Sequence, residues 1–293
     1  MDDRTPTRWT NKALIGKVRE ASDSDYQVVT LDGCFFCHVY DEIVGACIAN
    51  TRTWEFGETE WVKATVRSGD IVVDAGANIG WYTVVMARAV GSSGLVLAFE
   101  PEPRNFALLT KNVGWNGFSE RCLLSQVALW EEERTLKLEL CGSNFGDHRV
   151  RIDAGRNDSD PGLYGESKRV EIVVPAKPLD AIISETLPEK SSIRLLKVDT
   201  QGSEVSILRG AERALERTEY LFCEYWPYGL ARMGHNADDF ESCLKGYFSE
   251  FCNFTVGERK FQPMEKLRDD LSVSSHTTAG ESMYVFRKSG VDD

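Results

Sequence analysis

The apolar run IVVDA at 71–75, followed at once by the turn GANIG at 76–80, constrains the fold of this chain more than any other stretch. A short, continuously apolar run of this kind reads as a strand buried on both faces. The segment WYTVVMARAV (81–90) has helical spacing and ends near Gly91, and LVLAFE (95–100) is the next apolar run. Strand, glycine turn, helix and strand in that order predict a βαβ unit and a mostly parallel sheet with helices on its faces. Gly76 and Gly80 let the backbone turn sharply and let a ligand lie directly on it. Asn78 stands where a G-x-G-x-x-G dinucleotide fingerprint needs its middle glycine, and no Lys-Ser/Thr pair follows to make a phosphate-binding loop. Glu100 closes the second strand, where a carboxylate can accept hydrogen bonds from two ribose hydroxyls at once. A nucleoside-type cofactor fits both features.

The same rhythm extends along the chain. Residues 1–25 are polar, with a short helical pattern around 11–21, and YQVVTLDGCFFCHVY (26–40) reads as a hairpin turning at Asp32-Gly33. Residues 1–65 are therefore read as a β-rich N-terminal extension and 66–293 as the main domain. Pro103 opens a helix that Asn116-Gly117 stops, and a third strand is expected at about 121–129. TLKLEL (135–140) and VEIVV (170–174) alternate like antiparallel strands around a polar connection at 141–169, read as a functional loop or lid. Strands are then expected at 193–199, 220–226, 251–256 and 282–287, with helical material at 203–215 and 237–247. The most economical architecture is α/β, a Rossmann-like, doubly wound, mostly parallel seven-stranded sheet whose last strands run antiparallel.

Composition narrows the partners. The 293 residues carry 34 Lys and Arg against 46 Asp and Glu, a net charge of −12, which works against a broad basic footprint for nucleic acid. No apolar run reaches the ~18 residues of a membrane span, and no signal peptide is visible at the N-terminus, so stable membrane insertion is not expected and a cytoplasmic location is. Eight scattered cysteines suit free thiols better than a disulfide framework. Cys34-Phe-Phe-Cys37-His38 has haem-attachment spacing, but without export it reads as a β-strand carrying small thiols. Trp54, Phe56 and Trp61 are candidates for core packing or for an acceptor wall.

The stretches VVDAGANIGWYT (72–83), FEPEPRN (99–105) and LLKVDTQGSEVSILRGA (195–211) together resemble the FkbM family of S-adenosylmethionine-dependent methyltransferases, which has the class I methyltransferase fold. The third motif is the narrow one. The resemblance spans residues 55–226 and implies that Asp74, Gly76, Ala77 and Asn78, with Gly80, line the methionine side of S-adenosylmethionine. It further implies that Glu100 binds the ribose, that Pro101 and Glu102 lie near the adenosine, and that Val127 and Ala128 wall the adenine. Many family members carry Glu where this chain has Gln201, so position 201 is not expected to act as a base. The family points to O-methylation, most often of a sugar hydroxyl, with carboxyl groups as an alternative acceptor.

Asp199 lies at the carboxyl end of a central strand, where open α/β sheets place their ligands, and Lys197 shares its strand face. Glu204 falls in the first turn of the next helix, as a dipole partner or a functional acid. Glu224 is a second carboxylate at the same sheet edge, with His235 on the loop beyond it. A sugar hydroxyl needs a carboxylate or imidazole to take its proton, or a metal ion that lowers its pKa. Asp199, Lys197, Glu224 and His235 are therefore the catalytic candidates, with His148 competing from the polar loop. Asp199 and Glu224 are also the candidate ligands should Mg²⁺ assist. Asn144, Asp147, His148, Arg149 and Arg151 suit the 141–169 loop to a small-molecule or glycan acceptor. A homo-oligomer remains compatible with all of this, as do two other classes, a nicotinamide-dependent oxidoreductase and a non-catalytic binding protein.

Overall fold

The expected hairpin forms from β1 (Asp25–Val29) and β2 (Cys34–His38), paired antiparallel around Asp32-Gly33. The coordinates, a computed structural model, describe residues 25–151, 169–255, 259–274 and 280–291, so the helical pattern at 11–21 and most of the 141–169 connection lie outside them. Two helices that the sequence reading did not anticipate follow the hairpin, α1 (Val44–Thr51) and α2 (Phe56–Thr65). The buried Asp41 carboxylate accepts from the backbone N–H groups of Ile43, Val44 and Gly45, satisfying donors that the first turn of α1 leaves open. All eight cysteines are free.

The βαβ rhythm is realised by β3 (Ile71–Ala75), α3 (Trp81–Ala89), β4 (Leu95–Phe99), α4 (Pro103–Trp115) and β5 (Cys122–Ser125). The expected third strand then divides. After β5 the chain leaves the main sheet, and β6 (Ala128–Leu129) joins β7 (Arg134–Leu140), β8 (Arg149–Val150) and β9 (Val170–Lys177) in a smaller four-stranded sheet. Its β7 and β9 pair antiparallel from Arg134 to Leu140, as their alternation predicted. The chain re-enters the main sheet through α5 (Leu179–Thr186) and β10 (Ile193–Val198).

One helical stretch becomes two, α6 (Glu204–Arg209) and α7 (Glu212–Glu216). The break falls at Gly210, where a Cβ would lie 2.1 Å from the Trp130 carbonyl oxygen, so the backbone of the smaller sheet presses directly on the helix end. Next come β11 (Thr218–Tyr225), α8 (Pro227–Arg232), α9 (Ala237–Leu244), β12 (Glu250–Asn253), β13 (Gln262–Pro263), α10 (Leu267–Ser274) and β14 (Ser282–Arg287).

The main sheet runs β13-β12-β14-β11-β10-β3-β4-β5, with β5, β4, β3, β10 and β11 mutually parallel and β14 antiparallel to both its neighbours. It is the doubly wound sheet of the sequence reading, with the two-residue β13 added at one edge. Side-chain alternation divides the interior. Val72, Val96, Leu195 and Phe222 pack with the hairpin and helices α1 to α4, whereas Val73, Leu97, Leu196 and Leu221 pack with α5, α6, α7, α9 and α10. Among the described residues no helix is long and apolar enough to cross a membrane. The chain builds outward from β3 through β4 to β5, then returns to the other side of β3 through β10 and β11. The carboxyl ends of β3 and β10 thus form the point where winding reverses, the place where such sheets bind ligands.

Candidate active site at the strand reversal

Two clefts meet there. The first is a narrow cavity of about 70 Å³, and Val127, Ala128, Leu129, Leu138, Val150 and Ile207 give it an apolar slot. Glu100 and Pro101 stand at its wall. The second, of about 440 Å³, is lined by Trp54, Glu55, Tyr82, Lys197 and Glu224 among others. Gly76, Asn78, Gly146, Asp199 and Gln201 border both, so a group bound in one faces a group bound in the other across these residues.

Gly76 has φ +79°, and a Cβ there would fall 2.0 Å from the Asp199 carbonyl oxygen. The two motifs, distant in sequence, therefore meet backbone to backbone, and only glycine allows it. Asn78 also takes a left-handed φ of 51°. Its backbone N–H donates to Glu100 Oε2 at 2.8 Å, while the Glu102 N–H donates to Glu100 Oε1 at 2.9 Å. Burial raises the Glu100 carboxyl to about 8 despite these two donors, which favour the ionised form. Glu102 caps α4 instead of facing the slot, its Oε2 accepting from the Asn105 N–H at 2.7 Å.

The described part of the polar connection lies over these clefts. Asn78 Nδ2 and Asn105 Nδ2 both donate to the Phe145 carbonyl, at 3.0 and 2.9 Å. Phe145 and His148 line the first cleft, and Asn144, Asp147 and Arg149 line the second. His148 Nδ1 accepts from the Cys141 N–H at 3.1 Å, and burial lowers the imidazole to about 4, so it is neutral near pH 7. Residues 152–168, the rest of the expected lid, are outside the described chain.

In the second cleft Lys197 Nζ donates to Asp199 Oδ2 at 3.0 Å, and Gln201 Nε2 donates to Asp199 Oδ1 at 3.3 Å and to Glu224 Oε1 at 3.1 Å. Burial disfavours the Lys197 ammonium, but Asp199, Asp74 and Glu55 more than offset that and raise its pKa. Burial first, then the charges of Asp199 and Glu204, raise Glu224 well above the carboxylate range. Its Oε2 is buried with no hydrogen-bond partner. Mg²⁺ does not fit this donor set. Lys197 already neutralises Asp199, burial and the neighbouring acids disfavour the charged form of Glu224, and no group of three or more His, Cys, Asp or Glu among the described residues is arranged to hold a metal ion.

Besides Glu102, three expected site residues lie elsewhere. Asp74 is fully buried and lines neither cleft. Its Oδ2 accepts from Thr83 Oγ1 at 2.6 Å, and it sits beside Lys197 in strand register, so it is a counter-charge inside the sheet. Gly80 opens α3 against Leu109 of α4. His235 borders neither cleft, and its Nε2 lies 3.3 Å from Ser206 Oγ on α6. The remaining candidates are at the site: Gly76, Asn78, Glu100, Pro101, Val127 and Ala128 border the first cleft, and Ala77, Lys197 and Glu224 the second. Glu204 holds the turn between them, accepting from the Thr200 N–H and Oγ1, both at 2.9 Å.

Sequence reasoning missed Glu55 and Tyr82. Tyr82 Oη donates to Glu55 Oε2 at 2.7 Å, and Lys197 Nζ sits 4.8 Å from the Tyr82 ring centre. No local pattern marks Glu55, because α2 carries it to the cleft through tertiary packing. Of the aromatics left open between wall and core, Trp54 lines the second cleft, Trp61 packs against Tyr220, Phe222 and Phe254, and Phe56 is exposed.

A model of the methyltransferase FkbM domain matches residues 74–254. "Methyltransferase 1" of Beauveria bassiana (strain ARSEF 2860) is 30% identical over 147 residues, 48% of this chain, and the chain spans only 58% of that protein's length. "Methyltransferase sdnD" of Sordaria araneosa is 29% identical over 189 residues, 57% of this chain and 71% of the relative. Among solved structures, a methyltransferase FkbM from Methylobacillus flagellatus KT superposes with a TM-score of 0.42 at 16% identity, covering 78% of this chain and 50% of that one. An rRNA methylase from Streptococcus thermophilus superposes with a TM-score of 0.41 at 10% identity, covering 79% and 93%. With its motifs brought together at one strand reversal and the family model matching well over half its length, the chain belongs to the FkbM methyltransferase family.

Proposed function

We propose that the protein is an S-adenosylmethionine-dependent O-methyltransferase acting on a hydroxyl of a sugar in a glycolipid, polysaccharide or glycosylated metabolite. The observation that carries this reading is the junction of the two clefts: a buried carboxylate beside an apolar slot on one side, and a polar, aromatic-walled cleft on the other, with Gly76 and Asp199 between them. In the first cleft Glu100 accepts the ribose hydroxyls, Val127, Ala128 and Leu129 wall the adenine, and the Gly76–Asn78 turn lies along the methionine. When bound there, S-adenosylmethionine supplies an electrophilic methyl group on a sulfonium.

The chain's own residues align the acceptor, exclude water and receive a proton. Asp199 is held by Lys197 and Gln201, so it orients an acceptor hydroxyl from a fixed position. Phe145, clipped by Asn78 and Asn105, shields the junction from solvent. Glu55, Asp147, Asp199 and Glu281 outnumber Lys197 and Arg149 in the second cleft and disfavour a phosphate-rich acceptor, which supports a sugar over nucleic acid.

Isothermal titration with S-adenosylhomocysteine, with NAD as control, tests the donor site. Micromolar binding of the first alone, weakened at least about tenfold by Glu100→Ala, is expected, since a charge-assisted hydrogen bond contributes ~1.5–3 kcal/mol. Unchanged affinity in Glu100→Ala would refute the assignment, and binding of NAD would replace it with the oxidoreductase reading.

A further inference from the structure

Glu55 occupies the residue just before α2, a position where a carboxylate ordinarily caps the helix, yet its side chain makes no capping bond. Its backbone is left-handed, with φ 41° and ψ 63°. A residue with a Cβ is destabilised there, and such strain collects where a side chain must be aimed. Here the aim is into the second cleft. The carboxylate lines it and is steadied by the Tyr82 hydroxyl at 2.7 Å. Tyr82 in turn lies against Lys197, which holds Asp199, so the four side chains run as one chain of contacts along the cleft wall.

The other acids of the cleft are committed elsewhere. Asp199 is paired with Lys197, Asp147 is clamped between Arg149 and Arg169, Glu224 is buried with its Oε1 held by Gln201, and Glu281 lies exposed at the rim. Glu55 instead faces a neutral hydroxyl donor. Resting on the acceptor-site reading of the second cleft, we propose that Glu55 is the general base that takes the proton of the acceptor hydroxyl during methyl transfer. The acceptor oxygen forms its bond to the methyl carbon as the carbon–sulfur bond of the sulfonium breaks. The bond pair stays on sulfur as a neutral thioether, and the hydroxyl proton passes to the Glu55 carboxylate. No oxidant or further reactant is needed.

The environment suits that task. Burial first, then the negative charge of Asp199, raise the Glu55 carboxyl to about 7, while Lys197 and the Tyr82 hydrogen bond oppose the rise and Glu58 on α2 adds to it. A base with its pKa near the working pH balances occupancy of the deprotonated form against strength as an acceptor.

The test uses the full chain and its Glu55→Gln, Tyr82→Phe and Asp199→Asn variants. S-adenosylhomocysteine affinity is measured by calorimetry, the carboxyl titration by ¹³C resonances of labelled glutamate in that complex, and transfer of labelled methyl groups to a panel of methyl glycosides from pH 5.5 to 9. Glu55→Gln is expected to bind S-adenosylhomocysteine within about twofold of wild type. It should lose a carboxyl resonance titrating near 7, and transfer methyl ~100-fold or more slowly without the rise through pH 7. Tyr82→Phe, losing a bond that favours the ionised form, should move that titration upward. A Glu55 resonance titrating in the ordinary carboxylate range, or Glu55→Gln turning over within threefold of wild type, overturns this assignment alone. Wild type that fails to bind S-adenosylhomocysteine, or that binds it and methylates no glycoside, overturns the functional reading and Glu55's role with it.

Discussion

Asp199 and Glu100 do opposite things with a buried or half-buried carboxylate. Asp199 is fixed by an ammonium and an amide, so Asp199→Asn removes the partner of Lys197 and the fixed acceptor at the junction. At least about a tenfold loss of turnover, ~1.4 kcal/mol of barrier, is expected in steady-state assays, with S-adenosylhomocysteine affinity nearly unchanged. Glu100 is kept protonated by burial, with its pKa raised to about 8. On the donor-site proposal, ribose hydroxyls donating to it favour the ionised form, so donor binding at pH 7 should release up to about one proton, read by calorimetry in buffers of different ionisation enthalpy. Lys197 is the residue whose loss reaches furthest. Lys197→Met leaves Asp74 and Asp199 without their shared cation and should lower unfolding free energy by about 3–5 kcal/mol, measured by denaturant titration. Glu100, Gly76, Lys197 and Asp199 were legible in the sequence because each sits at a strand end with fixed geometry. The family resemblance put Asp74 on the methionine side, whereas its side chain turns to Thr83 and borders neither cleft, a placement set by packing.

The strands and helices were read well wherever hydrophobic period and stop signals agreed. Pro103 starts α4 and Asn116 caps its end, and the hairpin turns where Asp32-Gly33 directs it. Where the reading departed, a contact distant in sequence decided the outcome. The strand expected at 121–129 splits because β6 finds its partner in β9, and the helix expected at 203–215 breaks where Gly210 meets the Trp130 backbone. The described part of the polar connection is held by two asparagine side chains on one carbonyl, which composition could not show. Asn105→Ala removes one of those bonds and unpins Phe145. Faster backbone amide exchange at residues 144–147, with S-adenosylhomocysteine binding weakened a few-fold, is the expected outcome, and unchanged exchange would place the clip elsewhere.

Folding gathers several raised carboxyls into one interior, and that sets how the whole protein responds to pH and to its ligand. Glu100 is raised to about 8, and Glu204 to about 7, from ordinary values near 4.5, chiefly by burial. Between pH 4.5 and 8 the folded state therefore binds protons that the unfolded chain has released. The stability these groups contribute is fully present below about 4.5 and is lost as pH rises through 7 to 8. The melting temperature of the ligand-free protein should fall across that window. S-adenosylhomocysteine at 100 times its dissociation constant should add ~2.7 kcal/mol, visible as a rise of several degrees in a thermal melt. The sequence by itself determined the doubly wound architecture, the glycine turn after β3 and the acid at the end of β4, because hydrophobic period and glycine placement are local and act through the backbone. Only the tertiary structure decided that α2 delivers Glu55 to the second cleft, that Asp74 is an internal counter-charge, and that His235 stands apart. Those outcomes depend on which side chains are desolvated together, and desolvation is a property of the packed molecule that no stretch of sequence carries alone.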